Sequence, residues 1–168
     1  MIWKYCDFRE EKKEVPLHAP KGTWLATYGE SGLYRLVALE KSYEPIGGNG
    51  CPKWLETAWN AFWDGKPFEV NLCTEKKPSP STAAVWKVVL GIPFGTTRTY
   101  GEVALLAGIP DGARAVGSIM RSNPWALFLP CHRVVGKNGK LCGYGGKAGV
   151  GLKAWLIEYE KEKKEDRL

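Results

Sequence analysis

Two side chains capable of nucleophilic chemistry stand side by side at Cys131 and His132, within the run Leu129-Pro130-Cys131-His132-Arg133-Val134. Thiolate is a strong nucleophile, and a neighbouring imidazole can generate it by taking the thiol proton. On these six residues alone, a small buried cysteine beside an incidental histidine is the commoner arrangement. The apolar flanks predict a strand. The chain has only two histidines, His18 and His132, and no Cys-x-x-Cys pair, so a structural zinc site is not expected. The five cysteines (Cys6, Cys51, Cys73, Cys131 and Cys142) are odd in number and scattered. That usage, with no signal peptide or long apolar span, predicts a reduced, cytoplasmic protein, nucleoid-associated or nuclear if eukaryotic.

The elements around this pair come from the second half of the chain. Residues 82–90 read as a helix ending at Gly91, followed by a loop over 93–97. Thr99-Tyr100-Gly101-Glu102 is a capping box, in which Thr99 accepts from the Glu102 amide and Glu102 reaches back. Tyr100, Val103, Ala104 and Ala107 then form one stripe of a short helix. Gly108-Ile109-Pro110 makes a turn, and Asp111 is placed to cap a second helix. Ala113, Val116, Gly117 and Met120 form that helix's apolar stripe, with Arg114, Ser118 and Arg121 on another face. The pattern fits a helix-turn-helix or a plain helical hairpin equally well. Small residues on the second helix allow a close approach. Arg114 stands in its first turn, where the helix dipole disfavours a cation, and a locally disfavoured residue points to function.

The first half reads as α+β. Residues 23–28 and 33–39 are β-rich and separated by Gly29-Glu30-Ser31-Gly32, a hairpin signal. Residues 45–52 form a loop, residues 53–63 a helix ended by Asp64-Gly65-Lys66-Pro67, and residues 68–72 a short strand. The polar, proline-rich stretch 76–81 is the best linker, dividing the chain into an N-terminal α+β domain, 1–78, and a C-terminal domain, 79–168. The net charge of +6 leans towards a polyanionic partner.

Taken in order, Arg98-Thr99-Tyr100-Gly101-Glu102, Ala113-Arg114-Ala115-Val116-Gly117, Arg121-Ser122-Asn123-Pro124, Pro130-Cys131-His132-Arg133-Val134-Val135, Gly143-Tyr144-Gly145-Gly146 and the stretch 153–160 resemble the O6-alkylguanine-DNA alkyltransferase family, also called methylated-DNA–protein-cysteine methyltransferases. The resemblance implies a small ribonuclease-H-like sheet-plus-helix domain followed by a mostly helical, winged helix-turn-helix-like DNA-binding domain. It implies a monomer that moves an alkyl group from O6 of guanine in double-stranded DNA, or from O4 of thymine, irreversibly to its own cysteine, once per molecule. No cofactor is implied, and no membrane. Cys131 would be the acceptor. His132 would activate it through a water, Glu160 would orient His132, and Asn123 would brace the segment that carries Cys131. Tyr100 would aid nucleotide rotation and protonate the leaving guanine at N3. Arg114 would fill the space left by the extruded base, with Ala113, Gly117, Ser118 and Arg121 along the same DNA-binding helix. The carbonyls of Cys131 and Val134 would read the exocyclic amine, the Gly145 amide would donate to O6, and Tyr144 would line the pocket.

The chemistry asks for the same parts. Transfer from oxygen needs a soft nucleophile in line with a saturated carbon. The attacked atom is recessed in a duplex, so the base must leave the stack. Affinity should come largely from phosphate contacts and fall with salt. Each residue also has a plainer reading: Tyr100 as a core aromatic, Asn123 as a turn former before Pro124, Arg133 as a structural ion-pair partner. Glu160 borders the apolar stripe Leu152, Trp155, Leu156 and Tyr159 and would more often be solvated. The segment between Gly146 and Lys153 is longer than the family's usual connection. Three rivals stand beside the repair reading. A non-repairing binder of alkylated bases would lack the acceptor cysteine. A helix-turn-helix regulator would not need Pro-Cys-His-Arg, and a Cys-His hydrolase would turn over.

Overall fold

The structure, a computed structural model, describes residues 2–6, 9–39, 50–142 and 149–166. The chain divides into two compact units, one of Met1–Lys77 with Pro124–Ala126, the other of Pro78–Asn123 with Leu127–Leu168.

The first unit is built on a five-stranded sheet of order β1-β5-β4-β3-β2, comprising β1 (Ile2–Tyr5), β2 (Lys13–His18), β3 (Thr23–Gly29), β4 (Gly32–Ala38) and β5 (Asn71–Thr74). The hairpin is β3–β4, closed at Gly29 opposite Gly32. Alternation puts Trp24, Ala26 and Tyr28 in the core, as a strand half-buried on one face requires. Helix α1 (Lys53–Trp63) buries Leu55, Ala58, Trp59, Phe62 and Trp63. Trp59 meets Trp24 edge-on at 6.4 Å between centroids and donates its indole N–H to the His18 carbonyl at 2.7 Å. Strand β2 gave no strand signal in sequence because it is charged and carries Pro16. It lies at the sheet edge, where a missing amide is tolerated. The strand expected at 68–72 is displaced to Asn71–Thr74. Phe68 instead sets its ring edge-on against Phe62 of α1, and pairing begins where β1 supplies partners, Ile2 opposite Asn71. Pro124–Ala126 belongs to this unit: the Leu36 amide donates to the Pro124 carbonyl, the Ala126 amide donates to the Leu36 carbonyl, and the buried Trp125 donates to the Cys73 carbonyl at 3.2 Å.

The second unit opens with α2 (Pro80–Leu90). Ser79 caps it by accepting from the Thr82 amide at 3.2 Å, and Pro80 takes the first helical position, where no amide is needed. The stretch expected to be linker through 81 therefore gives way to helix at Pro80. Strand β6 (Arg98–Thr99) pairs in parallel with β7 (Val134–Val135) and leads directly into α3 (Tyr100–Leu106). The Thr99–Glu102 capping box forms in both directions. After a turn containing Gly108, α4 (Ala113–Arg121) buries Val116 and Met120. Asp111 does not cap it. Its backbone turns left-handed at φ 63°, Gly112 takes the cap position, and no side-chain bond forms. Helix α5 runs Gly149–Glu165.

Residues 131–133 are not a strand. They form a single 3-10 turn, and extended backbone resumes only at Val134. Pro130 has no amide to give a ladder, and its carbonyl accepts from Arg133 at 2.9 Å. A strand would send His132 to the face opposite Cys131 and Arg133. The turn lets His132 and Arg133 reach the same carboxylate.

Candidate active site

Cys131 is buried, at 6% exposure, in the first position of the turn. Asn123 presents its amide Nδ2 to Cys131 Sγ at 3.0 Å and to the Leu129 carbonyl at 2.9 Å, which fixes the segment and offers the sulfur a hydrogen-bond donor. Burial pushes the thiol up, while the Asn123 amide, the Lys153 ammonium and the amides of Cys131 and His132 favour the thiolate.

His132 and Glu160 are completely enclosed. His132 Nε2 lies 2.7 Å from Glu160 Oε1. Arg133 grips the same carboxylate with both arms of its fork, Nε to Oε2 at 2.8 Å and Nη2 to Oε1 at 2.9 Å, and its Nη1 donates to the Ile92 carbonyl at 2.7 Å. The Gly95 amide donates to Oε2 at 3.0 Å. Gly95 sits at φ +69°, and a Cβ there would meet the Glu160 carbonyl at 2.9 Å, so only glycine fits. Burial acts to raise the Glu160 carboxyl, but His132 and Arg133 hold it down at about 2. Burial pushes the His132 imidazole down, outweighing the pull of Glu160. The carboxylate is thus ionised and only accepts, so Nε2 carries the ring proton and the neutral imidazole keeps its lone pair on Nδ1.

Lys153 was not singled out by the sequence. Its side chain is 1% exposed, and its Nζ donates to the Val134 carbonyl at 2.5 Å, the Cys142 carbonyl at 3.3 Å and the Tyr100 hydroxyl at 3.4 Å. Three acceptors match the three donors of an ammonium. Burial pushes Lys153 down, and the nearby Cys131 and Cys142 thiols act in the other direction. The buried face of α5 is Gly149, Lys153, Leu156 and Glu160, not the expected Leu152, Trp155, Leu156 and Tyr159. The detectable signal was two charged residues at helical spacing with Leu156. Charge normally marks the wet face; here internal partners hold the charges inside.

Tyr100 joins this cluster to the surface. Pairing of β6 with β7 puts its helix beside the segment that follows Cys131, and its hydroxyl lies 3.5 Å from the Cys142 carbonyl. Burial, then the Cys142 and Cys131 thiols, push the phenol up, so it keeps its proton. Tyr100, Ala113, Arg114, Gly117, Ser118 and Arg121 all line one groove of about 940 Å³ between α3 and α4, with Cys142 on its wall. Arg114, Ser118 and Arg121 are exposed. The Cys131 and Val134 carbonyls are already engaged, by the Val134 amide and Lys153 Nζ respectively. Tyr144 and Gly145 lie outside the described residues, as does the first part of the long connection after Gly146; the rest of it, from Gly149, is already helix α5.

The arrangement is a sulfur nucleophile followed in sequence by a neutral base, with a retained phenol proton at Tyr100 on the wall of a basic groove. Residues 80–162 match the family model of the 6-O-methylguanine DNA methyltransferase DNA-binding domain. A methylated-DNA–protein-cysteine methyltransferase of Mycobacterium bovis is 40% identical over 144 residues, 83% of this chain and 86% of the relative. The crystal structure of Mycobacterium tuberculosis O6-methylguanine methyltransferase superposes with a TM-score of 0.76 at 36% identity, covering 91% of this chain and 94% of that one. A structure of the Mycobacterium tuberculosis protein in complex with DNA gives 0.73 at 36% identity, over 88% and 92% of the two chains. With that identity over most of its length, the chain belongs to the methylated-DNA–protein-cysteine methyltransferase family.

Proposed function

We propose that this protein repairs DNA by transferring the alkyl group of O6-alkylguanine, or of O4-alkylthymine, to its own Cys131, once per molecule and acting as a monomer. The observation that carries the reading is Cys131 Sγ held at 3.0 Å by Asn123, next in sequence to a histidine whose Nε2 is fixed by Glu160.

Duplex DNA binds along the groove, with Arg121 and Ser118 on the backbone and the small surfaces of Ala113 and Gly117 admitting close approach. The damaged nucleotide rotates out past Tyr100, and Arg114 occupies the gap in the stack. His132 takes the Cys131 proton through a water, using its Nδ1 lone pair. The thiolate, favoured by Asn123 and the Lys153 ammonium, attacks the alkyl carbon. The S–C bond forms as the C–O6 bond breaks, and the electron pair passes into the guanine ring, which takes a proton at N3 from the Tyr100 phenol. The Tyr100 proton is restored from the one first removed from Cys131. The net change is thiol plus alkylguanine to thioether plus guanine, with no group left to regenerate the thiol. Lys153 holds the Val134 carbonyl, and that carbonyl keeps a second lone pair for the guanine amine. Tyr144 and the Gly145 amide complete the base pocket in this reading.

The same reading takes the C-terminal domain, 79–168, as a winged helix-turn-helix of α3 and α4, and the N-terminal domain, 1–78, as ribonuclease-H-like. It also places the protein with cellular DNA in the cytoplasm, or in the nucleus of a eukaryote.

Incubation with a duplex containing O6-methylguanine, followed by intact mass and peptide mapping, tests the proposal. One methyl group on Cys131 in equimolar yield is expected, with none in Cys131→Ser. Tight lesion binding without methyl gain would overturn transfer in favour of recognition alone, and turnover beyond one equivalent would overturn the single-event reading.

A further inference from the structure

A second pair of thiols lies far from the acceptor in sequence, within the first unit. Cys6 directly follows β1 and Cys73 stands in β5, the strand that β1 pairs with in parallel. The Cys6 amide donates to the Thr74 carbonyl at 3.0 Å, so pairing of the two segments continues to Cys6 itself. Both side chains are buried, at 5% and 1% exposure, and form an enclosed cluster with Tyr34. Their sulfurs are 3.2 Å apart, and both are free thiols. Scattered cysteines have no reason to meet. Here the sheet register brings together two that are 67 residues apart.

We propose that Cys6 and Cys73 are an oxidisable dithiol that closes to a cystine when the protein meets a peroxide-class oxidant. One S–S bond replaces two S–H bonds, and the two electrons and two protons reduce hydrogen peroxide to two waters. The geometry assigns an order to the steps. β1 is an edge strand, and Cys6 follows its last residue, Tyr5, with its amide bond to Thr74 as the end of the pairing, so fraying from that end exposes Cys6 first. Cys6 sulfur attacks the peroxide to give a sulfenic acid and water. Reclosure returns it to Cys73, whose sulfur displaces the second water. Burial, then the Cys6 thiol, push Cys73 up to about 12, so Cys73 stays a thiol and Cys6 is the one that meets the peroxide. The bond would staple an edge strand to the sheet interior, the strand with the fewest partners. In a reducing compartment the pair rests as thiols, and closure marks oxidative exposure.

The test is a non-reducing peptide map of the full-length protein after mild hydrogen peroxide, with remaining thiols blocked under denaturing conditions. The expected product is one linked peptide pair containing Cys6 and Cys73, two hydrogens lighter than the separate peptides and released by reductant. The oxidised protein should melt about 5–10 °C higher than the reduced form, since a long loop has been closed. Cys6→Ser should show neither the link nor the rise. Recovery of both residues as blocked thiols, linkage of either to Cys51, Cys131 or Cys142, or over-oxidation of Cys6 to an acid without linkage would overturn the assignment. The wild-type map decides this alone if the variant fails to fold. It is also independent of alkyl transfer, because neither thiol takes part in that reaction.

Discussion

Replacing Glu160 by Gln keeps the shape of the side chain and removes its charge. Each oxygen of Glu160 serves two partners: Oε1 faces His132 Nε2 and Arg133 Nη2, and Oε2 faces Arg133 Nε and the Gly95 amide. Gln offers one accepting oxygen and one donating NH2. If the oxygen takes the Oε2 position, the NH2 confronts both the His132 Nε2–H and the Arg133 Nη2 donor. If it takes the Oε1 position, the NH2 confronts both Arg133 Nε and the Gly95 amide. Either way, Arg133, 8% exposed, is left as a buried cation without its anion. Removing one partner of such a pair costs about 3–5 kcal/mol.

The pH dependence supplies an independent magnitude. His132 and Arg133, working against burial, hold Glu160 at about 2 in the fold, below its ordinary 4.5. Linkage converts that difference to about 3 kcal/mol. A depressed carboxyl stabilises the fold fully above its unfolded pKa, and the contribution is lost as pH falls from 4.5 through about 2. Denaturant unfolding of wild type and Glu160→Gln, across about pH 7 to pH 2, reads both quantities, and the difference between the proteins cancels the titration of carboxylates they share. The variant should be less stable by about 3–5 kcal/mol near neutrality, and the gap should narrow by about 3 kcal/mol in acid. Single-turnover transfer should slow by about 10²-fold as the imidazole loses its anchor. A gap below about 1 kcal/mol at neutrality, or one that does not change with pH, would refute the placement of a paired carboxylate in this core.

Lys153→Met should raise the pH at which the Cys131 thiolate absorbance appears at about 240 nm and slow transfer by about tenfold or more, since a nearby cation is lost from a poorly screened site. An unchanged titration would confine Lys153 to packing. Arg114→Ala should reduce repair of duplex DNA by about tenfold while leaving attack on free O6-alkylguanine unchanged, because the cost of an unfilled stack exists only in the duplex; equal losses on both substrates would remove Arg114 from base extrusion.

What could be read from the sequence was what local chemistry decides. The Thr99–Glu102 box, the Gly29–Gly32 hairpin and α1 at Lys53–Trp63 depend on neighbours a few residues away, and each forms where expected. The six groove residues are likewise placed by short spacings along two helices. The misses, Asp111 apart, depend on distant partners. β2 is a strand because β3 pairs with it, despite Pro16. Asp111 fails as a cap because the turn from Ile109 to Gly112 forces it left-handed. Lys153 and Glu160 look solvated because they are charged, and the carbonyls, imidazole and guanidinium that hold them lie 11–28 residues away, beyond any helical or strand period.

Arg133 explains why the histidine can serve as a base. A buried carboxylate facing an imidazole alone favours the imidazolium, which has no lone pair to accept a thiol proton. Here the carboxylate is gripped on both oxygens by a guanidinium that never loses its charge, so its demand for a cation is already met. Burial then decides the state of His132, and burial favours the neutral ring. The arrangement requires residues 132 and 133 to point the same way, which a strand forbids and the turn after Pro130 allows. In the proposed transfer, the order Pro-Cys-His-Arg is therefore a geometric condition. Proline sets the turn, cysteine takes the position next to the Asn123 amide, histidine supplies the lone pair, and arginine occupies the carboxylate so that burial keeps that lone pair unprotonated.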